Sequence, residues 1–311
     1  MPTPIASDGA ASIAIVTDST AYLPDDVVSA LGIVVVPLQV VIDGTAVYES
    51  GASTTAQVIE AIHNAKIVTT SRPNAVEFEQ AYRNAQSGGA THIISVHLSS
   101  QLSGTYESAC LAAARLDIPV TVIDSGTIAM AMGFAVIRAA ELVQQGIAPA
   151  VIADTVRADC AASEIIFYVD TLEFLRRGGR ISSLTSTVGN ALNVRPILEM
   201  RDGSIQSRER VRTRTRALDI LVGIVAAAIA RGKSSSANVH VKPNHVTHMI
   251  GECDVAVHHV ADPEAALALA ARIGLECNVP NVAVTECGAV IATHVGPGAC
   301  AVVVSPHSRS K

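Results

Sequence analysis

Residues 92–116 read HIISVHLSSQLSGTYESACLAAARL, and this stretch decides the fold class. Its first five residues are rich in isoleucine and valine, which favours a strand over residues 92–96. An amphipathic pattern over residues 105–116 predicts a helix. A short polar loop joins the two, and a strand followed by a loop and a helix is the repeating unit of sheets with parallel strands.

The same order recurs across the first half of the chain. β-branched runs predict strands over residues 13–17, 34–36, 92–96 and 120–123. Amphipathic stretches predict helices over residues 24–31, 55–64, 75–86, 105–116 and 127–145. We therefore expect a mostly parallel sheet that is covered by helices.

The pattern changes after Gly146. A predicted helix over residues 150–161 leads into a predicted strand over residues 165–169, and Asp202-Gly203 is a hairpin signal. Further helices are predicted over residues 217–230 and 263–274, and further strands over residues 237–241, 282–284, 290–293 and 300–304. Gly296-Pro297-Gly298 predicts a tight bend between the last two of these strands.

These patterns predict an α/β protein of two domains. A mostly parallel N-terminal α/β domain is expected over residues 13–163, after a disordered tail at residues 1–12. A C-terminal α/β domain with a largely antiparallel sheet is expected over residues 164–311. The total of 311 residues fits two domains, each with a core of its own.

The amino-acid composition argues against nucleic-acid binding and indicates which side chains would line a cavity. The chain has 22 Lys and Arg against 28 Asp and Glu, for a net charge of −6, and it has five Tyr, four Phe and no Trp. Such a chain lacks the basic surface and the aromatic platforms of a nucleic-acid-binding protein. With 49% hydrophobic residues and so few aromatic ones, any cavity is expected to be lined by aliphatic side chains.

A cytoplasmic location without a membrane span is expected. Residues 1–12 contain no Lys or Arg and no apolar stretch of the kind found in a secretory signal. The longest apolar run, residues 220–230, is much shorter than the roughly 20 residues that cross a bilayer. The six cysteines form no C-x-x-C pair, which favours reduced thiols.

Three polar clusters follow predicted strands, where open α/β sheets bind ligands. Two of them, Asp18-Ser19-Thr20 and Asp124-Ser125-Gly126, can equally be helix caps. The third, residues 99–105, holds four hydroxyl side chains within seven positions, more than one cap needs. A helix N-terminus with such side chains favours an anion, either a carboxylate or a phosphate.

Taken together, several short segments resemble the DegV family, which includes the fatty-acid-binding subunits of bacterial fatty acid kinase. The resemblance covers nearly the whole chain, and residues 232–254 match least. It rests on an ordered set of motifs: Thr17-Asp18-Ser19-Thr20, Leu23-Pro24, Pro37-Leu38, Thr70-Ser71-Arg72-Pro73, Ser99-Ser100, Leu102-Ser103-Gly104-Thr105-Tyr106, Leu175, Gly178-Gly179-Arg180-Ile181, Val211-Arg212-Thr213, Gly288-Ala289-Val290 and His294-Val295-Gly296-Pro297-Gly298.

The resemblance implies a carrier without catalysis of its own. It would bury one long-chain fatty acid and present the carboxylate to a separate ATP-dependent kinase, which forms acyl phosphate for phospholipid synthesis. No cofactor or metal is implied. The residues implied to hold the carboxylate or to lie beside it are Thr70, Ser71, Ser99, Ser100, Ser103 and His294.

The same resemblance implies roles for two arginines and shows a departure from the family at a third. Arg180 and Arg212 are implied to contact the kinase or its nucleotide. Arg72 stands where the family commonly has Gln, which changes the charge expected at the entrance.

Energetics favour such a carrier. Burying a methylene contributes about 0.8 kcal/mol, so a chain of about 15 methylenes gains roughly 12 kcal/mol before any costs. Desolvating one carboxylate costs several kcal/mol unless hydrogen bonds replace its water. The tail would therefore supply affinity, and the head contacts would fix register. Composition alone is also compatible with a solid core of small residues.

Arginines occupy every second position over residues 208–216. Any extended part of this segment would place them on one face, where they could receive phosphate or an acidic partner. A solvated strand edge is the alternative interpretation.

Two other functions stay open at this point. A serine hydrolase would use Ser103 as nucleophile and His294 as base, with Asp18 or Asp124 as orienting group, although no G-x-S-x-G motif is present. A metal site would use the histidine-rich stretch at residues 240–259, although no spacing there matches a known zinc motif.

Overall fold

The computed structural model describes residues 12–181, 195–234 and 253–306. Within these ranges the chain forms thirteen strands: β1 Ile13–Asp18, β2 Val34–Val36, β3 Gln39–Ile42, β4 Thr45–Tyr48, β5 Val68–Ser71, β6 His92–His97, β7 Val120–Asp124, β8 Glu164–Tyr168, β9 Arg195–Arg201, β10 Ser204–Val211, β11 Cys253–His259, β12 Val282–Glu286 and β13 Cys300–Pro306.

The same ranges contain ten α-helices: α1 Asp25–Leu31, α2 Gly51–His63, α3 Ala75–Ser87, α4 Thr105–Ala113, α5 Met130–Gln144, α6 Pro149–Ala162, α7 Glu173–Gly178, α8 Arg214–Ser234, α9 Pro263–Cys277 and α10 Ala289–Val295. None of these helices combines the length and the apolar character that a bilayer span requires. The predicted strand at residues 237–241 lies outside the described residues, as does the predicted tail apart from Ser12.

The N-terminal sheet is parallel, as predicted, with strand order β2-β1-β6-β7. Successive residues of β6 face opposite sides, so Ile94 packs in a cluster with Met132 of α5, and Ile93 packs in a cluster with Phe78 and Tyr82 of α3. Because helices cover both faces, the strands are apolar on both sides.

The C-terminal sheet has the order β10-β9-β8-β13-β11-β12. Its pairs are antiparallel except for β11 with β12, which confirms the predicted fold class. Leu221 of α8 and Ile273 of α9 pack with Ile166 of β8 on one face. Phe167 of β8 packs with Val290 of α10 on the other face, which is therefore the face toward the N-terminal half.

A third sheet was missed by the sequence pattern. Its strand order is β4-β3-β5, and both pairs are antiparallel. Asp43 and Gly44 form the two-residue turn of its hairpin with φ of 48° and 85°, the left-handed geometry that Asp-Gly favours. The strands are only four residues long, and β5 has a single apolar residue, Val68, so it shows no alternating apolar pattern.

The strand predicted over residues 290–293 is wrong, because these residues lie within α10. The first-turn N–H groups of this helix find distant partners: Val290 donates to Glu49 Oε1 at 2.8 Å and Ile291 donates to the Tyr22 hydroxyl at 3.3 Å. These tertiary hydrogen bonds override the β-branched composition of the segment. Gly296-Pro297-Gly298 consequently joins a helix to β13.

Candidate functional site

A cavity of about 360 Å³ lies where the three sheets and their loops meet. This volume is within the range of about 300–1,000 Å³ that is typical of small-molecule sites. Residues from every sheet or its loops contribute to the wall, including Thr70 of β5, Leu98 after β6, and Phe167 of β8. The cavity is thus formed by the whole fold.

The body of the cavity is apolar. The aliphatic and aromatic side chains on its wall are those of Leu38, Leu98, Leu102, Ile128, Ile165, Phe167, Leu175, Met200, Ile205, Val260, Val290, Ile291 and Val295. Phe167 is its only phenyl ring among the described residues, which confirms the expectation of an aliphatic lining. The alternative of a solid core of small residues is therefore wrong.

One end of the cavity is polar, and we call it the mouth. Its residues come from the end of β5 and the connection after it, the β6–α4 loop, the segment after α7 and the last turn of α10: Thr70, Ser71, Arg72, Ser103, Arg180 and His294. The fold therefore brings together four of the six residues implied to bind the carboxylate, together with Arg180.

Thr70 and His294 are hydrogen-bonded, with 2.9 Å between Thr70 Oγ1 and His294 Nε2. The other ring nitrogen, Nδ1, is buried and has no hydrogen-bond partner among the described residues. It lies against Gly178, where a β-carbon would overlap the ring. Burial and the nearby charge of Arg180 lower the pKa of His294 to about 4, so the ring is neutral at pH 7.

Ser103 lies in the loop that opens α4. Its hydroxyl is 2.8 Å from that of Thr105, and the backbone N–H of Ser103 donates to Ser99 O at 3.1 Å. The hydroxyl is thus held at the N-terminal end of the helix, whose dipole favours an anion. A neutral donor here can replace water around a carboxylate without adding a charge.

Ser99 and Ser100 have other contacts and are not among the residues that line the cavity. The Ser99 hydroxyl donates to Gly203 O at 2.6 Å, and it thereby joins the β6–α4 loop to the turn between β9 and β10. The Ser100 N–H donates to Asp124 Oδ1 at 3.2 Å. Both serines therefore hold the loop that carries Ser103.

The Asp18 cluster is structural. Asp18 Oδ2 is 3.0 Å from His97 Nδ1 and accepts from the Leu98 N–H at 3.0 Å, while His97 Nε2 is 2.7 Å from Ser95 Oγ. All three side chains are buried. The chain of bonds ties β1 to β6 below the loop that carries Ser103.

Glu49 is a buried residue that the sequence pattern did not indicate. It is 7% exposed, and it accepts from Ser19 Oγ at 2.5 Å and from the Val290 N–H at 2.8 Å. Burial raises the pKa of Glu49. Because Glu49 caps α10, it positions the helix that carries His294 in its last turn. A glutamate just before a helix carries no distinctive sequence signal, so only the structure identifies this role.

Arg180 and the arginines of residues 208–216 lie in different environments. The Arg180 Nε–H donates to Leu102 O at 3.1 Å, and Arg180 also bonds to Gly178 O, whereas Arg212 is exposed in the turn between β10 and α8. The alternating row is not continuous: Arg208 in β10 pairs with Glu199, and Arg214 in α8 pairs with Asp262. Because β10 ends at Val211 and α8 begins at Arg214, only Arg208 and Arg210 lie in an extended part of the row, and the five arginines do not share one strand face.

The described residues give no support to the two alternative functions, a serine hydrolase and a metal site. Asp18 is bonded to His97, and Asp124 accepts from Ser100 and Gly126, so neither aspartate is placed to orient His294. Within the described ranges, no group of three His, Cys, Asp or Glu side chains can hold a metal.

The histidine-rich stretch lies partly outside these ranges, which begin again at Cys253. Of its histidines, His258 and His259 are described. The two ring nitrogens of His258 contact backbone groups of Met130 and Thr285.

Comparison with known proteins identifies the family. The model of a family described as an uncharacterised protein family, DegV, matches residues 12–307. The chain belongs to the DegV family. A DegV domain-containing protein of Streptomyces coelicolor is 43% identical over 298 residues, covering 94% of this chain and 98% of the relative.

Solved DegV structures share the fold. A DegV family protein from Thermus thermophilus, described by its fatty acid binding, has a TM-score of 0.82 and 30% identity, and the match covers 95% of this chain and 99% of that one. DegV from Bacillus subtilis, described as a fatty acid binding protein, has a TM-score of 0.80 at 30% identity over the same shares. The motifs that carry the resemblance thus identified the family correctly.

Proposed function

We propose that this chain is a carrier that buries one long-chain fatty acid and presents its carboxylate to a separate ATP-dependent fatty acid kinase. The kinase would form acyl phosphate, and the carrier alone would catalyse nothing. The observation that carries the proposal is the cavity itself, with an apolar body and a polar mouth that contains Thr70, Ser103 and His294.

The division of the cavity matches the chemistry of a fatty acid. An acyl tail buried in the body gains about 0.8 kcal/mol for each methylene. The carboxylate would exchange its water for the hydroxyl of Ser103, for one donor of the Thr70–His294 pair, and for the charge of Arg180, because the neutral ring has a single N–H. These contacts offset much of the desolvation cost, and the tail supplies most of the affinity.

In this proposal, the partner kinase supplies the ATP-binding site. The sequence contains no G-x-x-x-x-G-K-[ST] loop to hold ATP phosphates. Arg180 at the mouth and exposed Arg212 are the proposed contacts for the kinase or its nucleotide. Six free cysteines are consistent with the proposed cytoplasmic location.

A trapping assay tests the proposal. The protein is loaded with hexadecanoate and incubated with ATP, either alone or with a purified fatty acid kinase subunit, and hydroxylamine converts any acyl phosphate into a hydroxamate. We expect hydroxamate only when the kinase is present, and less of it with Arg212→Ala. Hydroxamate with ATP alone would mean that the chain is itself an enzyme, and a chain that takes up no hexadecanoate is not a carrier.

A further inference from the structure

The mouth contains a second guanidinium group, that of Arg72. Arg72 lies on the wall of the cavity, directly after β5, and its side chain is exposed. Its Nη1 lies over the α-carbon of Gly104, where a β-carbon would overlap it. Only glycine at position 104 lets the guanidinium lie this close to the loop that carries Ser103.

Arg180 approaches the same loop, through its hydrogen bond to Leu102 O at 3.1 Å. Two guanidinium groups thus contact residues on both sides of Ser103. Contacts with Leu102 O and Gly178 O hold Arg180 in place before any ligand enters. A fixed guanidinium loses less conformational entropy when it binds an anion.

No carboxylate neutralises this pair within the described part of the chain. The wall of the cavity includes no Asp or Glu, and neither Arg72 nor Arg180 forms an ion pair with a described residue. His294 is neutral at pH 7 and contributes no charge. The mouth therefore holds two positive charges, one more than a single fatty acid carboxylate can balance.

We propose that Arg72 adapts the mouth to a doubly charged anionic head on an acyl tail, of the phosphate class, in preference to a carboxylate. The proposal rests on the function proposed above and deepens it. A phosphate group carries about −1.5 to −2 charges at pH 7 and three acceptor oxygens, so it can bond to both guanidinium groups at once. A carboxylate has two oxygens and a single charge.

Binding of two matched amphiphiles tests the proposal. Hexadecyl phosphate and hexadecanoate are titrated into delipidated full-length protein at pH 7.5, and inorganic phosphate is titrated in parallel. We expect hexadecyl phosphate to bind more tightly than hexadecanoate, and inorganic phosphate to bind far more weakly because it lacks the tail. In Arg72→Gln, the affinity for hexadecyl phosphate should fall about tenfold, while hexadecanoate affinity changes by less than about threefold.

Two variants serve as controls. Arg72→Lys keeps the charge without the forked geometry and should retain part of the preference. Arg157→Gln removes one exposed charge on α6, away from the cavity wall, and should leave both affinities unchanged.

The outcomes separate the two proposals. Equal phosphate-to-carboxylate ratios in the wild type and Arg72→Gln would overturn the role of Arg72 while the carrier function stands. Binding of hexadecyl phosphate without hexadecanoate would support the inference and contradict the fatty acid as ligand. Binding of neither amphiphile would overturn both.

Discussion

Two histidines on the wall of the same cavity differ in whether both of their ring nitrogens have a hydrogen-bond partner. His258 lies at the body, and its ring is satisfied by the protein: Nε2 accepts from the Met130 N–H at 3.2 Å, and Nδ1 is 3.3 Å from Thr285 O. His294 lies at the mouth, where one nitrogen contacts Thr70 and the other has no partner among the described residues. Burial lowers the pKa of both to about 4.

The comparison shows that burial alone does not indicate a ligand contact. Both rings are neutral at pH 7 for the same physical reason, the cost of placing a charge away from water. What differs is whether the hydrogen-bonding capacity of the ring is used up. A buried polar group without a partner costs about 1–3 kcal/mol, and a ligand can recover part of that cost. We therefore propose that His258 stabilises the fold and that His294 contacts the ligand.

The largest expected effect is on stability at acid pH. The unfolded chain protonates His258 near pH 6.5, whereas the folded state keeps it neutral down to about pH 4. Stability from this group is therefore complete above pH 6.5 and is lost as the pH falls toward 4, by about 3 kcal/mol. Urea unfolding from pH 7.5 to 4 measures the slope, and His258→Gln should flatten it. An unchanged slope in that variant would mean that His258 is not held neutral.

A smaller effect, on binding affinity, distinguishes the contribution of the acyl tail from that of the carboxylate head. Replacing hexadecanoate by tetradecanoate should weaken binding by roughly 1.6 kcal/mol, about fifteenfold, because two methylenes leave the apolar body. The same ratio is expected in His294→Gln, since the mouth does not contact the end of the tail. Isothermal titration of both ligands measures it. An affinity that is independent of chain length would contradict a buried tail.

Substitutions at the mouth should change the affinity for the carboxylate head and leave the contribution of the tail unchanged. Ser103→Ala or His294→Gln should weaken hexadecanoate binding by about 1–2 kcal/mol, because each removes a partner of the carboxylate. Binding of hexadecanol, which has no carboxylate, should change much less. His258→Gln serves as the matched control and should shift both ligands equally. If His258→Gln were selective for the carboxylate, the comparison between the two histidines would be reversed.

The smallest effect concerns two adjacent serines. Ser99→Ala removes the buried hydrogen bond to Gly203 O and should lower the free energy of unfolding by about 1 kcal/mol. Ser100→Ala keeps the backbone contact with Asp124 and should change stability by less than about 0.5 kcal/mol. Thermal unfolding measures both. Equal losses would argue against a specific role for the Ser99 hydroxyl.

Much of the fold could be predicted because local patterns and tertiary structure agree. The strand at residues 92–96 and the helix after Ser103 were found in place, since β-branched and amphipathic runs reflect what each segment buries. The helix α10 was missed, because Glu49 and Tyr22 satisfy its first turn from a distance of more than 200 residues in sequence. No local pattern carries such information.

The candidate site was predicted in part for a similar reason. Motif resemblance named Thr70, Ser71, Ser103 and His294, and all four line the mouth. It also named Ser99 and Ser100, whose contacts instead hold the loop. Adjacent hydroxyl residues have the same chemistry in a sequence, and only the folded loop shows that Ser103 lines the cavity whereas Ser99 and Ser100 do not.

Native mass spectrometry of the protein as purified from cells tests the central claim most directly. We predict a complex with one long-chain fatty acid bound in the cavity, which denaturation releases and fragmentation identifies as a carboxylic acid. Retention should weaken in Ser103→Ala and His294→Gln. A wild-type protein that carries no lipid, and that takes up none when hexadecanoate is added, would contradict the account.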